Sequence, residues 1–173
     1  MKEERDDSAY RIEPLGDRHA RAEFSCGVEA LDRYLQKQAG QDMAKSVAAV
    51  FVITADGSKI AGFYTLWAHV VSLADLPGDV AKKLPRYPNV PATLLGRLAV
   101  SNDFRGRGVG ELLLLDAFRR VLKNSREVAS AAIVVDAKDD RARDFYLRHD
   151  FIPLPAQPNR LFYPVKTIEK LFR

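Results

Sequence analysis

The segment Leu98-Ala99-Val100-Ser101-Asn102-Asp103-Phe104-Arg105-Gly106-Arg107-Gly108-Val109-Gly110-Glu111-Leu112 constrains the fold more than any other part of this 173-residue chain. An apolar strand runs into three glycines at alternate positions, and a helix carrying Leu112-Leu113-Leu114-Leu115 begins directly after them. Glycine accepts backbone conformations that turn successive N–H groups toward one point, and the first helical turn adds unpaired donors at the positive end of its dipole. Such a nest holds a phosphate or pyrophosphate. A triphosphate loop would need Gly-Lys-Ser/Thr, and no Lys follows Gly108 or Gly110; a dinucleotide fingerprint needs G-x-G-x-x-G, whereas Gly106, Gly108 and Gly110 read G-x-G-x-G. The duller alternative is a glycine-rich turn whose Arg105 and Arg107 face water. The strand-to-helix context favours the anion site.

Around this segment the hydrophobic pattern alternates between strand and helix. Tyr10, Ile12 and Leu15 predict a short first strand ending near Gly16, and Val28, Leu31, Leu35 and Ala39 fall at helical spacing, with Ser25 or Gly27 at the start. Ser46–Ile53 and Ile60–Val71 flank the tight-turn dipeptide Asp56-Gly57 and read as a β-hairpin. Residues 77–91 hold four prolines with Lys82, Lys83 and Arg86 between them, an insertion containing at most one short helix. Thr93–Val100 is then a strand, Gly110–Lys123 a helix, Ala131–Val135 a strand and Arg141–His149 a helix, and Ile152–Phe172 returns one or two edge strands. The expected class is α/β, a mixed central sheet flanked by helices, in one domain over residues 1–173 with 1–9 as a flexible tail.

Composition excludes several alternatives. A 47% hydrophobic, 29% charged chain can bury a sizeable core and is not disordered. The single cysteine, Cys26, rules out an intramolecular disulfide framework, and three dispersed histidines supply no metal-ligand cluster, so no metal is expected. No stretch approaches the ~20 apolar residues of a membrane-spanning helix. The N-terminus opens on the charged run Lys2–Asp7 rather than a secretory apolar core, so a cytoplasmic protein is expected. The net charge of +4 is unevenly distributed: residues 1–96 carry 12 basic and 13 acidic side chains, residues 97–173 carry 15 and 10.

Arg105-x-x-Gly108-x-Gly110 after the strand Leu98–Val100 resembles the R/Q-x-x-G-x-G/A motif of the Gcn5-related N-acetyltransferases, and the resemblance extends from the first strand to Phe151. It implies the acyl-coenzyme A N-acyltransferase fold, with the sheet splayed where coenzyme A enters. It also implies acetyl-coenzyme A as co-substrate, its pyrophosphate cradled by Arg105, Gly106, Arg107, Gly108, Val109, Gly110 and Glu111. Its pantetheine arm would pair with Leu98, Ala99 and Val100, and the Val100 N–H would face the thioester carbonyl. A narrower likeness joins it. Phe24-x-Cys26-Gly27-x-x-x-Leu31-Asp32-x-x-Leu35, Leu95-Gly96-Arg97-Leu98-Ala99-Val100, Phe145-Tyr146 with Phe151, and Pro164-x-Lys166-Thr167 are similar to the acetyltransferase toxins of bacterial toxin-antitoxin modules. Those enzymes acetylate the α-amine of aminoacyl-tRNA and so block translation. The likeness further implies a ribbon-helix-helix antitoxin and a homodimer. Asp150 departs from it, standing where most such proteins have Gly.

Acetyl transfer to an amine needs a neutral amine, oxyanion stabilisation and a proton for the departing thiolate. A tyrosine titrates near ~10, above a thiol at ~8.5, and can supply that proton; the resemblance assigns this part to Tyr146. By spacing alone Tyr146 reads as an amphipathic core residue in line with Ala142, Phe145 and His149. No base stands out, although Glu23, His69 and His149 are conceivable. An α-amine near ~7.7–8.0 needs one less than a lysine near ~10.4 does. Lys82, Lys83 and Arg86, Arg119, Arg120 and Lys123, and Arg141, Arg143 and Arg148 could track an RNA backbone. Each group also has a duller account: a solvated loop, a helix C-terminus, and a surface interleaved with Asp139, Asp140 and Asp144. Arg97, on the motif strand, would contact acceptor phosphate or brace the site. The alternatives are an acetyltransferase of a small amine or a protein N-terminus, or a non-catalytic coenzyme A-binding module.

Overall fold

The computed structural model describes residues 9–173, so the expected tail lies almost entirely outside the described residues. Seven strands, β1 (Arg11–Pro14), β2 (Ala49–Thr54), β3 (Ile60–Ser72), β4 (Asn89–Val100), β5 (Ala132–Asp136), β6 (Ile152–Leu154) and β7 (Gln157–Pro164), hydrogen-bond in the order β1-β2-β3-β4-β5-β7-β6. The β1/β2, β2/β3, β5/β7 and β6/β7 pairs are antiparallel and β4/β5 is parallel, which makes the sheet mixed, as expected. The helices are α1 (Glu29–Arg33), α2 (Ala39–Ala44), α3 (Gly78–Ala81), α4 (Val109–Asn124), α5 (Asp140–Arg148) and α6 (Val165–Leu171). The chain forms two compact units. One comprises residues up to Trp67 with Gly96–Ala117, the other Ala68–Leu95 with Phe118–Arg173.

In the first unit the hairpin forms as its residues require. β-branched and aromatic side chains fill β2, and Gly57 takes the left-handed conformation (φ +86°) in the turn. The Asp56 carboxylate accepts the Ser58 and Lys59 N–H groups, at 2.8 Å each. α1 and α2 are joined by a π-helical turn, Tyr34–Gln38, so the single predicted helix is one run with a widened middle. Its apolar side meets the sheet in a core of Leu15, Phe24, Tyr34, Leu35, Ala39, Val50, Val52, Phe63 and Ala99. Gly62 is required by close approach: a Cβ there would lie 2.7 Å from the Ala99 carbonyl and 2.9 Å from Leu113 Cδ1.

In the second unit β4 begins at Asn89, four residues before the expected Thr93. Pro91 does not end the strand, because proline suits an extended backbone and forfeits only its N–H; its carbonyl accepts Ala131 N–H at 2.8 Å. The β4/β5 pairing runs over Ala92–Leu95 against Ala132–Val135. The C-terminal part also differs from expectation. Of the one or two edge strands expected, β6 lies at one edge of the sheet, whereas β7 is an interior strand between β5 and β6, and the chain closes with the unforeseen helix α6 after Pro164. Phe118, Tyr146, Phe151 and Tyr163 form the aromatic core, with ring centres 4.6 Å apart for Phe118–Tyr163 and 5.2 Å for Tyr146–Phe151.

Candidate active site

The glycine loop is built as its sequence suggests. After β4, Asn102–Phe104 make one 3-10 turn, and Gly106 and Gly108 both take left-handed φ, +74° and +76°. α4 starts immediately: Leu112 N–H bonds to the Gly108 carbonyl at 3.2 Å, and buried Val109 pins the first turn. Two left-handed glycines directly before a sixteen-residue helix place backbone donors and a positive dipole end together, the arrangement that suits an anionic phosphate. Arg107 lies over the Phe104 ring (5.2 Å), and Lys59 pairs with Asp103 at 3.0 Å. Both put cations near the loop.

Arg105 is engaged within the fold. Its Nη2 donates to the Cys26 carbonyl at 2.5 Å, and a Cβ on Gly27 would meet that nitrogen at 2.9 Å, so left-handed Gly27 (φ +85°) makes room for it. Asn102 N–H donates to the Ser25 carbonyl at 2.8 Å. The glycine loop is thereby stitched to residues 25–27. Ser101 N–H, donating to the Ala61 carbonyl at 2.8 Å, ties the end of β4 to β3. The backbone of Leu98, Ala99 and Val100 belongs to the end of β4, beyond the last residue that pairs with β5.

Arg97 lies in the same unit, one residue after Gly96. Its guanidinium carbon stands 3.5 Å from the centre of the Tyr34 ring and 5.6 Å from that of Trp67. A Cβ on Gly96 would sit 2.2 Å from the Trp67 ring, so only glycine lets the indole lie against β4. Tyr34 donates to Asp42 Oδ2 at 2.9 Å, and burial together with that bond pushes its phenol up to about 12. Gln38 and then Tyr34 hold the Asp42 carboxyl below the ordinary carboxylate range. Beside this cluster the Thr65 hydroxyl is fully buried without a partner. Tyr34, Asp42, Trp67 and Thr65 carried no sequence signal beyond their place in a helix and a strand.

Tyr146 belongs to the second unit. It is 7% exposed on α5, against Phe145 and Phe151, and burial raises its phenol well above the usual tyrosine value. The phenol is therefore protonated at neutral pH. Asp139 caps α5 by accepting Ala142 N–H at 2.8 Å, and Asp150 ends the helix segment in the left-handed region at φ +67°, a geometry natural to glycine. Of the conceivable bases, Glu23 is exposed, and the His149 ring packs on Phe145 at 4.7 Å. His69 faces Arg160 at 3.5 Å, where burial and then that cation lower its pKa. Lys82, Lys83 and Arg86 are exposed in the insertion around α3.

Similar proteins are known. The acetyltransferase (GNAT) domain profile matches residues 46–153. A tRNA-acetylating toxin of Mycobacterium tuberculosis is 38% identical over 148 residues, covering 86% of this chain and 87% of the relative. The AtaT toxin complexed with acetyl-methionyl-tRNAfMet superposes with a TM-score of 0.88 at 32% identity, covering 95% of this chain and 99% of the other. A tyrosine-to-phenylalanine mutant of AtaT, bound to the C-terminus of the antitoxin AtaR and acetyl-CoA, gives 0.81 at 28% identity over 95% and 98%. On its glycine loop, its strand order and these likenesses, the chain belongs to the GNAT acetyltransferase family.

Proposed function

We propose that this GNAT protein is a toxin that acetylates the α-amine of aminoacyl-tRNA and thereby blocks translation. The observation that carries the acetyl donor is the pair of left-handed glycines, Gly106 and Gly108, opening directly into α4. The loop Arg105–Glu111 would hold the pyrophosphate of acetyl-coenzyme A, and Leu98, Ala99 and Val100 would pair with its pantetheine arm. Bound there, acetyl-coenzyme A supplies an activated thioester acyl group. The acceptor rests on the likeness to AtaT complexed with acetyl-methionyl-tRNAfMet and to the mycobacterial tRNA-acetylating toxin.

In the reaction a C–N bond forms between the neutral α-amine and the acetyl carbon, the C–S bond breaks, and the proton that the amine loses passes to water, from which Tyr146 recovers the proton it gives to the thiolate. The Val100 N–H stabilises the oxyanion. The Tyr146 hydroxyl holds its proton until the thiolate departs and then donates it. Arg97 receives an acceptor-strand phosphate, and Lys82, Lys83 and Arg86 add basic charge for the RNA backbone. The protein acts in the cytoplasm as a homodimer and is neutralised by a ribbon-helix-helix antitoxin. Among the described residues no helix is long and apolar enough to cross a membrane.

The test offers labelled acetyl-coenzyme A with charged tRNA, a polyamine and a peptide. Transfer to charged tRNA is expected; transfer only to polyamine or peptide would favour a small-amine or N-terminal acetyltransferase, and no transfer a binding module. Tyr146→Phe should lower kcat by at least ~10²-fold with acetyl-coenzyme A affinity retained, and should abolish growth arrest on expression. Unchanged turnover would remove the proposed acid.

A further inference from the structure

Arg97 is a half-buried cation held by its faces rather than by its donors. At 3.5 Å above the centre of the Tyr34 ring the guanidinium carbon is in van der Waals contact with the aromatic face, a separation that suits a stacked guanidinium. Stacking of this kind engages the π surface and leaves the in-plane N–H groups, five in a guanidinium, directed outward. Among the described residues none of those donors has a hydrogen-bond or ion-pair acceptor. A cation partly withdrawn from water with its donors uncommitted is suited to an incoming oxyanion.

The stacking ring is itself fixed on three sides. Tyr34 opens the π-helical turn, a widened turn of a kind that occurs at functional sites. Its ring stacks on Phe63 (6.3 Å between centres, 17° between planes). Its hydroxyl donates to Asp42, whose other oxygen accepts from Gln38 at 2.9 Å. Trp67, seated over Gly96, lies on the same guanidinium at the longer distance of 5.6 Å. All of these residues belong to the first unit. Asp42 makes no ion pair with Arg97: its hydrogen bonds go to the Tyr34 hydroxyl and Gln38, and its carboxylate feels the guanidinium only through its field, so the guanidinium donors are left for a ligand.

We infer that Tyr34, anchored by Asp42, is a positioning residue that preforms the Arg97 guanidinium as a receptor for a phosphodiester near the 3′ end of the tRNA acceptor strand. This rests on the aminoacyl-tRNA reading above. A long arginine loses much rotamer freedom on binding an anion, and the aromatic stack bears that loss in advance. Removing the stack should therefore weaken the RNA and leave acetyl-coenzyme A, the other phosphate-bearing substrate, unaffected.

The experiment measures acetylation with charged tRNA and acetyl-coenzyme A varied separately, in wild type, Tyr34→Leu, Tyr34→Phe, Asp42→Asn, Arg97→Ala and the double variants. Tyr34→Leu should raise KM for charged tRNA by up to ~10-fold, with KM for acetyl-coenzyme A and kcat within about twofold. Tyr34→Phe and Asp42→Asn keep the ring and should raise it about twofold. In the Arg97→Ala background, further change at Tyr34 should add nothing. Additive effects, a fall in kcat alone, or a parallel rise in KM for acetyl-coenzyme A would overturn the inference. Should Tyr34→Leu fail to fold, the Tyr34→Phe and Arg97→Ala cycle decides by the same criterion. If the wild-type protein leaves charged tRNA unmodified, the aminoacyl-tRNA reading falls, and binding of an RNA hairpin ending in CCA decides the positioning role. Affinity weakened by both Tyr34→Phe and Arg97→Ala supports it, and affinity unmoved by either, or no binding, removes it.

Discussion

Thr65 is buried on β3 with a hydroxyl that has no partner, paired in register with apolar Val50 and close to Gly96. A buried hydroxyl without a hydrogen bond costs about 1–3 kcal/mol, and valine has nearly the same shape. Thr65→Val should therefore raise the free energy of unfolding by about 1 kcal/mol, read from urea midpoints at constant m; a loss would mean that the hydroxyl is used. Asp150 is a second position where chemistry and backbone disagree. Its place before Phe151 was legible as a departure from a family glycine, and the left-handed φ of +67° gives the physical reason for that glycine. The acid role of Tyr146 rests only on the family likeness, because helical spacing alone cannot separate a core tyrosine from an acid. Burial packs its ring and raises its phenol, so the hydroxyl is protonated at neutral pH in either role.

The glycine loop works as an element because Gly106 and Gly108 adopt φ values that a side chain resists. Gly108→Asp adds both a Cβ in that conformation and a negative charge at the opening of α4. It should weaken acetyl-coenzyme A binding at least ~10-fold by calorimetry, while Tyr146→Phe leaves that affinity in place. Unchanged affinity would place the phosphate elsewhere. A second element-level effect joins β3, β5 and β7. Asp136 and Arg160 face each other across β5 and β7 with Nε–Oδ1 at 2.7 Å and Nη2–Oδ2 at 2.9 Å, and Arg160 reaches His69 on β3. Burial and then Arg160 hold the His69 imidazole below its ordinary value of 6.5. The unfolded chain thus takes up that proton more readily, so the stability His69 contributes is complete above 6.5 and lost as pH falls through 6.5 toward the folded value. Urea midpoints at ~pH 7.5 and ~pH 5.5 should differ in that direction, and His69→Gln should reduce the difference. The strands and helices themselves were largely legible from period and turn residues. β7 and α6 were not, because the prolines that suggested loose edge strands only bound an interior strand and precede a helix.

Charge is the property of the whole chain that bears on function. The excess in residues 97–173, 15 basic against 10 acidic, supplies the field that an RNA would feel. KM for charged tRNA should rise steeply with salt while KM for acetyl-coenzyme A changes little, and Arg97→Ala should reduce the log–log slope by roughly one. A slope near zero in the wild type would argue for a small acceptor. By itself the sequence determined the glycine loop and the family, because both are written in contiguous residues: a strand, three glycines and a helix start impose their geometry through local backbone preferences. Only the tertiary structure decided the surroundings of Arg97 and the use of Arg105. Tyr34, Asp42, Trp67 and Arg97 come from separate elements, as do Arg105 and Cys26. Periodicity tells which face of each element is buried, whereas packing alone selects the ring that meets the guanidinium and the carbonyl that takes up the other arginine.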